Sequence, residues 1–236
     1  MEEVFRGGTL DMSSGPIPGL DAFPAWGDLL TNRILAVIAI FTLLTGLPDL
    51  FRLAPQLLYS FDRPRGAAAL EHSLGMARIR NLTALACILP FCLMADRYAL
   101  LRPAFWTHIP APWSAPATVG LFIAFLLVRE IFYLICRPRR LSTESYLTLK
   151  HNPYNSFILL TALMLVSIGI LSVLLHLTDP AIQTVLRVEI AVIYLFALLR
   201  SGQILGGFGI GFTTILYLCG LEIIPAALMV AVVMFF

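Results

Sequence analysis

The sequence predicts an all-α membrane protein, a polytopic helical bundle of about six transmembrane helices. Two compositional observations predict this class: 59% of the 236 residues are hydrophobic, and only 13% are charged. A soluble domain carries roughly 25% charged residues, because its surface must be hydrated. The third observation is a series of six apolar stretches, most of them close to the roughly 20 residues that a helix needs to cross a bilayer. The composition therefore excludes an ordinary soluble domain.

The chain divides into a polar N-terminal tail containing Gly and Pro, residues 1–33, and a six-span transmembrane domain, residues 34–236. The second predicted span is the shortest, contains Pro90 and runs into Asp96 and Arg97. Apolar segments of 10–14 residues also occur as re-entrant pieces, so full crossing and re-entry both stay open for it. The predicted spans cover residues 34–50, 82–94, 117–136, 157–177, 181–199 and 210–236.

The distribution of Lys and Arg predicts the orientation of this bundle. With six spans, ten of these residues fall in the first, third and fifth loops and four fall on the opposite side. Positively charged loops stay in the cytoplasm, so both termini are expected on the outer, periplasmic side of a bacterial inner membrane. Trp26, Trp106 and Trp113 all fall on that outer side, where indole rings favour the headgroup layer.

Five charged residues lie near the middle of apolar runs. A charge at the bilayer centre costs roughly 2.5–3.5 kcal/mol on insertion scales, so such residues usually face the bundle interior and find partners. Residues one or two positions apart point in different directions on a helix, so we expect pairing between helices and not between sequence neighbours. The predicted buried charge network consists of Arg129, Glu130, Arg187, Glu189 and Glu222.

This network has two interpretations, which the sequence alone does not separate. One is a static set of ion pairs that fixes the register of the helices, since interhelical polar contacts hold many bundles together. The other is a polar core that handles protons, ions or a polar substrate. The distinguishing feature is whether the charges form a dry network or line a cavity.

The last predicted span adds a kink beside a carboxylate. Pro225 has no N–H, so the carbonyl of Leu221 is expected to lose its helical partner next to Glu222. Just before this span, glycines recur at G-x-x-x-G spacing, which in lipid lets helix backbones approach closely. The predicted helix-packing glycines are Gly202, Gly206, Gly207 and Gly211.

The closing run Thr214-Ile-Leu-Tyr217-Leu-Cys219-Gly-Leu-Glu222-Ile-Ile-Pro225 resembles the signature of a bacterial family. That family is catalogued as domain of unknown function 4271 and consists of small multi-span proteins of Bacteroidetes-type bacteria. The resemblance implies residence in the inner membrane, and it singles out Tyr217, Cys219, Glu222 and Pro225 for testing. It implies no reaction.

Several function classes find no support in the sequence. The four cysteines and four histidines form no metal-ligand spacing, no nucleophile motif is present, and a net charge of +2 argues against a nucleic-acid partner. The sequence therefore predicts no cofactor, no metal and no catalytic residue, and it favours a protein without chemistry of its own. The expected partners are the lipid bilayer and either another membrane protein or further copies of this chain.

The leading hypothesis is an inner-membrane accessory or scaffold subunit of a bacterial envelope assembly. The alternative hypothesis is a small proton-linked carrier or lipid-handling protein that uses the buried Arg and Glu residues. A third hypothesis is a membrane-embedded enzyme, for which Glu222 is the only acid/base candidate.

Overall fold

The structure, a computed structural model, describes residues 26–62, 73–100, 102–103, 106, 108–135, 143–206 and 217–235. Every regular element in these ranges is helical. The main helices are α1 (Leu30–Asp62), α2 (Leu74–Arg97), α3 (Ser114–Ile135), α4 (Thr143–Gly169), α5 (Asp179–Gly206) and α6 (Ile224–Phe235). A π-helical segment, Ile170–Leu174, extends α4, and a second one, Cys219–Ile223, leads into α6.

Five of these helices are long and apolar enough to cross a membrane, and the shorter apolar stretch Cys219–Val232 accompanies them. The prediction of a helical membrane bundle with several spans is therefore confirmed. The predicted start of the sixth span, residue 210, lies outside the described residues. Residues 30–33, which the sequence assigned to the polar tail, are the first turn of α1.

The second span is longer than the sequence predicted. Predicted over residues 82–94, α2 in fact covers Leu74–Arg97, about 36 Å at 1.5 Å per residue. It packs against α1, α3 and α4, and 61% of its most apolar stretch is buried, against 6–22% in the other four long helices. Two of the polar residues that flank the predicted span, Arg80 and Asp96, are buried against other helices, whereas Arg78, Asn81 and Arg97 are exposed. Hydropathy alone underestimated the length of α2 because these polar residues lower it at both ends.

Side-chain contacts show which helix ends lie together. Asp96 lies at the end of α2. Its carboxylate accepts hydrogen bonds from the Trp26 indole at 2.7 Å and from the Ser114 hydroxyl at 3.1 Å. Arg97 pairs with Asp179 at the start of α5, at 3.1 Å. The starts of α1, α3 and α5 therefore meet the end of α2 at one face of the bundle, as expected if successive helices cross in alternating directions.

The main core cluster lies between α2, α3, α4 and α5. Phe91, Phe122 and Phe157 contact one another there, with ring centroids 5.0–5.3 Å apart. Their packing brings the middle parts of α2, α3 and α4 together and positions the polar side chains that follow along α3 and α4.

Candidate functional site

Two of the predicted charges form a buried ion pair between α3 and the chain's last helical region. Arg129 lies on α3 and Glu222 in the π-helical segment, with 3.7 Å between Nη2 and Oε1 and side chains only 6% and 8% exposed. Tyr133, one helical turn after Arg129, donates its hydroxyl hydrogen to Glu222 Oε1 at 2.5 Å. The i, i+4 spacing places both side chains on one face of α3, so both reach the same carboxylate.

Aromatic rings and a backbone carbonyl complete the surroundings of Arg129. The guanidinium carbon lies 4.9 Å from the centre of the Tyr133 ring and 5.6 Å from that of Tyr154. Such cation–π contacts are stronger where water is excluded. Nη2 also donates to the carbonyl oxygen of Lys150 at 3.3 Å. Nε, by contrast, is buried and has no hydrogen-bond partner among the described residues.

Glu130, the sequence neighbour of Arg129, belongs to a separate pair. Its Oε2 lies 2.7 Å from the ammonium nitrogen of Lys150, and its Oε1 accepts a hydrogen bond from the Tyr154 hydroxyl at 2.7 Å. Lys150 and Tyr154 are four residues apart and therefore share one face of α4. Arg129 and Glu130 thus pair with different helices, as the sequence predicted for adjacent residues.

Polar contacts of α5 close the site from the other side. Asn152 on α4 donates to the carbonyl oxygen of Ala197 at 3.1 Å and to the hydroxyl of Ser201 at 3.0 Å. Three helices and the π-helical segment therefore converge on one polar cluster in the half of the bundle that holds the end of α3 and the start of α4.

The backbone at Glu222 is irregular. Residues Cys219–Ile223 form a π-helix, and Ile224 separates this segment from Pro225. The Tyr194 hydroxyl donates to the backbone carbonyl of Glu222 at 3.2 Å. A side chain of α5 thus satisfies a backbone acceptor within the π-helical segment, the usual compensation for irregular backbone inside a membrane.

A cavity of about 870 Å³ opens beside this polar cluster and extends through the bundle. Arg129, Glu130, Lys150 and Glu222 line its polar part, and its remaining wall is largely apolar. Residues of α2, α3, α4, α5 and α6 all contribute to the wall. The lining residue Leu85 is 66% exposed, so the cavity extends to the outer surface of the bundle.

Arg187 and Glu189 do not join the buried cluster that the sequence predicted. Arg187 is exposed and lines the cavity, and no described carboxylate lies within ion-pair distance of it. Glu189 is half-buried, and one of its oxygens accepts a hydrogen bond from Ser167. Helical periodicity explains the position of Arg187: α5 turns Ile182 and Leu186 toward the core, and the residue directly after Leu186 points about 100° away from it. Glu189 lies at the edge of this core stripe and faces α4 through Ser167.

The predicted packing glycines find no close helix neighbour within the described part of the chain. A Cβ added at Gly202 would lie 3.9 Å from the side chain of Leu218, an ordinary contact, and one at Gly206 would meet nothing within 4 Å. Gly207 and Gly211 lie outside the described residues.

The signature residues of the last segment lie close to the cluster. Tyr217 packs against the apolar group that contains Tyr133 and Leu149. Cys219 begins the π-helical segment that carries Glu222, and Pro225, two residues after the end of that segment, is buried. Among the described residues, no three His, Cys, Asp or Glu side chains are grouped so that they could hold a metal ion.

Sequence reasoning missed Tyr133, Lys150, Asn152 and Tyr154 as members of this cluster. Lys150 and Tyr154 precede the predicted span of residues 157–177, because charged and polar residues before an apolar run are typical of a loop. They instead belong to α4, which begins at Thr143. Of these four residues, Tyr133 alone lies inside a predicted span. Its position four residues after Arg129 places the two side chains on one helix face, and this spacing could have indicated its role.

Comparisons with protein-family models, curated proteins and solved structures find no match to this chain.

Proposed function

We propose that this chain is a small lipid-handling membrane protein that binds one amphiphilic molecule in the cavity inside its helical bundle. The observation that carries this proposal is the cavity itself, about 870 Å³ with a charged cluster at one part of its wall and apolar residues elsewhere. Ligand pockets typically measure roughly 300–1,000 Å³ and combine a mostly apolar wall with a few convergent polar groups. An amphiphile matches both parts of such a wall.

The position of the cavity supports a ligand that comes from the membrane. Its lining includes Leu85 and Val230, which are 66% and 59% exposed on the surface that faces lipid. A lipid-type molecule could therefore enter sideways from the bilayer and leave its apolar chain in contact with apolar wall throughout. The proposal assigns binding, and no chemical step, to the protein.

A cavity-filling substitution tests this function. Ala226 lines the cavity, whereas its neighbour Ala227 is exposed on the same helix and does not. We expect the unmodified protein, purified in a neutral detergent, to retain about one amphiphile per chain, and Ala226→Phe to lose most of it because the ring occupies the cavity. Mass spectrometry of the extracted lipids measures this retention.

Ala227→Phe is the matched control, because it adds the same ring on the lipid-facing side of the helix. The proposal requires retention in this variant equal to that of the unmodified protein. Equal lipid content in all three proteins would show that the cavity is not the binding site.

A second candidate function is an accessory or scaffold subunit of a bacterial envelope assembly. The arrangement of α1 favours it: this helix packs mainly on α2, and 6% of its most apolar stretch is buried. A long apolar helix held along one side leaves a wide surface for a partner helix as well as for lipid. The resemblance of the closing segment to domain of unknown function 4271 is compatible with both candidates.

We also propose the inner membrane as the site of residence, with both termini on the periplasmic side. The excess of Lys and Arg in the first, third and fifth loops supports this orientation. The polar cluster around Arg129 and Lys150 would then lie in the cytoplasmic half of the bilayer.

A further inference from the structure

We propose that the cavity selects amphiphiles with an acidic head group, a carboxylate or a phosphate, and that Arg129 binds this group. The inference rests on the proposed lipid-binding function and names the substrate class of the same site. It combines an unpartnered donor, the charges of the cavity wall and the pairing of the carboxylates.

The first observation is the free donor of Arg129. The side chain is 6% exposed and lines the cavity, yet its Nε has no hydrogen-bond partner among the described residues. Buried polar groups are nearly always satisfied, so such a donor requires an explanation, for which a ligand is one of the established choices. A guanidinium binds carboxylates and phosphates through parallel N–H groups, with Nε as one member of the fork.

The second observation is the charge of the cavity wall. Its described lining contains three basic residues, Arg129, Lys150 and Arg187, and two acidic residues, Glu130 and Glu222. Arg129 faces Glu222 and Lys150 pairs with Glu130, so the positive charge in excess is that of Arg187, which is exposed. The net charge of the wall therefore favours an anionic ligand over a cationic one.

The third observation, the pairing of both carboxylates, favours an acidic head group over a cationic one. Glu222 already accepts the Tyr133 hydroxyl and faces Arg129, and Glu130 is bonded to Lys150 and Tyr154. Both carboxylates thus have their partners within the protein, whereas the remaining unpartnered group at this wall is a cationic donor. The site therefore offers a hydrogen-bond donor to a ligand that carries an acceptor, such as a carboxylate or a phosphate.

The apolar wall determines how the rest of the molecule lies. Phe91, Phe122 and Leu160 line the cavity and belong to the main core cluster of the bundle. A head group at Arg129 would leave the chain of the amphiphile along these residues, toward the middle of the bilayer. This arrangement matches the direction in which a membrane lipid already lies.

Two matched pairs of amphiphiles test the inference on the full-length chain in a neutral detergent. Oleoyl lysophosphatidic acid and monooleoylglycerol differ only by the phosphate, and oleate and oleyl alcohol differ only by the carboxylate. Native mass spectrometry gives the fraction of protein bound at each concentration. We expect the acidic member of at least one pair to bind at least ten-fold more tightly, and the larger preference identifies phosphate or carboxylate as the natural head group.

The double variant Arg129→Gln/Glu222→Gln removes the ion pair as a unit, so neither buried charge is left unpaired. We expect it to bind the acidic and the neutral member of each pair with the same affinity, so that the preference for the acidic member is lost. The control, Arg97→Gln/Asp179→Asn, removes an ion pair at the opposite face of the bundle and should keep the full preference.

The outcomes separate the two proposals. A preference that survives in the Arg129 double variant, or that disappears equally in the control, would overturn the assignment of the head group to Arg129. Equal binding of acidic and neutral members by the unmodified protein would overturn the acidic head group and leave the cavity proposal standing. Failure of all four amphiphiles to bind would refute the proposed function itself.

Discussion

At Arg129, a guanidinium lies inside the bundle beside one carboxylate, two phenol rings and a backbone carbonyl. Burying a charge is costly unless it is paired and hydrogen-bonded, and this residue is both. Tyr133 contributes twice, because its ring faces the guanidinium and its hydroxyl donates to the carboxylate. The uncharged residue Tyr133 therefore helps to stabilise the ion pair between Arg129 and Glu222.

The hydroxyl of Tyr133 gives a test at this scale. Tyr133→Phe keeps the ring and removes the donor to Glu222, and a buried acceptor that loses a partner costs about 1–3 kcal/mol. We expect a lower midpoint of thermal unfolding in detergent, followed by circular dichroism.

Tyr217→Phe serves as the control, because this tyrosine is also partly buried in the same apolar group and the described residues supply no hydrogen-bond partner for its hydroxyl. A Tyr133→Phe midpoint indistinguishable from that of the control would mean that the short contact to Glu222 contributes nothing to stability.

At the scale of helices, α2 occupies the centre of the bundle although it was the least certain span in the sequence. It contacts three other helices, and Arg80, Thr83 and Asp96 are buried within it. Arg80 precedes the predicted span of residues 82–94 but lies inside α2. Polar residues in a span reduce its hydropathy, and they are tolerated where neighbouring helices surround them.

Labelling from the two sides of the membrane tests the crossing of α2. Ser73 and Arg102 are exposed and flank the helix. In a background without the native cysteines, we expect a membrane-impermeant maleimide to reach Ser73→Cys from the cytoplasm and Arg102→Cys from the periplasm. The reason is the length of α2, about 36 Å, which exceeds the roughly 30 Å hydrocarbon core.

Labelling of both positions from one side would contradict the crossing and reverse the orientation of every later helix. Labelling from opposite sides, but with Ser73 outside, would leave the crossing intact and contradict the proposed orientation.

The helices show how much of the fold could be predicted from the sequence. The lengths of the apolar stretches located α3, α4 and α5, because each presents much of its surface to lipid. Residues next to each other on a helix point in different directions, and this correctly predicted different partners for Arg129 and Glu130. The start of α4 was missed because its polar residues Lys150 and Asn152 bind to side chains and backbone of other helices. Contacts between helices produce no periodic pattern in the sequence of one helix. For the same reason the sequence indicated charges in the membrane but did not reveal the cavity between them.

For the whole molecule, the two candidate functions differ in what accompanies the chain through purification. A pull-down of the tagged protein in a mild detergent, analysed by mass spectrometry, distinguishes them. The lipid-binding proposal predicts a chain without a stoichiometric protein partner but with retained lipid, because the cavity lies within one copy.

A partner that survives washing at one-to-one stoichiometry would instead support the accessory subunit, with α1 as the first surface to examine. A variant that disrupts the cavity, Ala226→Phe, is expected to leave that association unchanged. Loss of the partner in this variant would tie the assembly to the bound lipid.

The central position of α2 also bears on how the protein is made. A helix that contains Arg80 and Asp96 enters lipid reluctantly by itself, since charged residues weaken insertion from the translocon. The preceding helix, α1, is strongly apolar and packs along α2. During synthesis α1 would therefore already stand at the lateral gate when α2 emerges, and the two would leave it together as a hairpin.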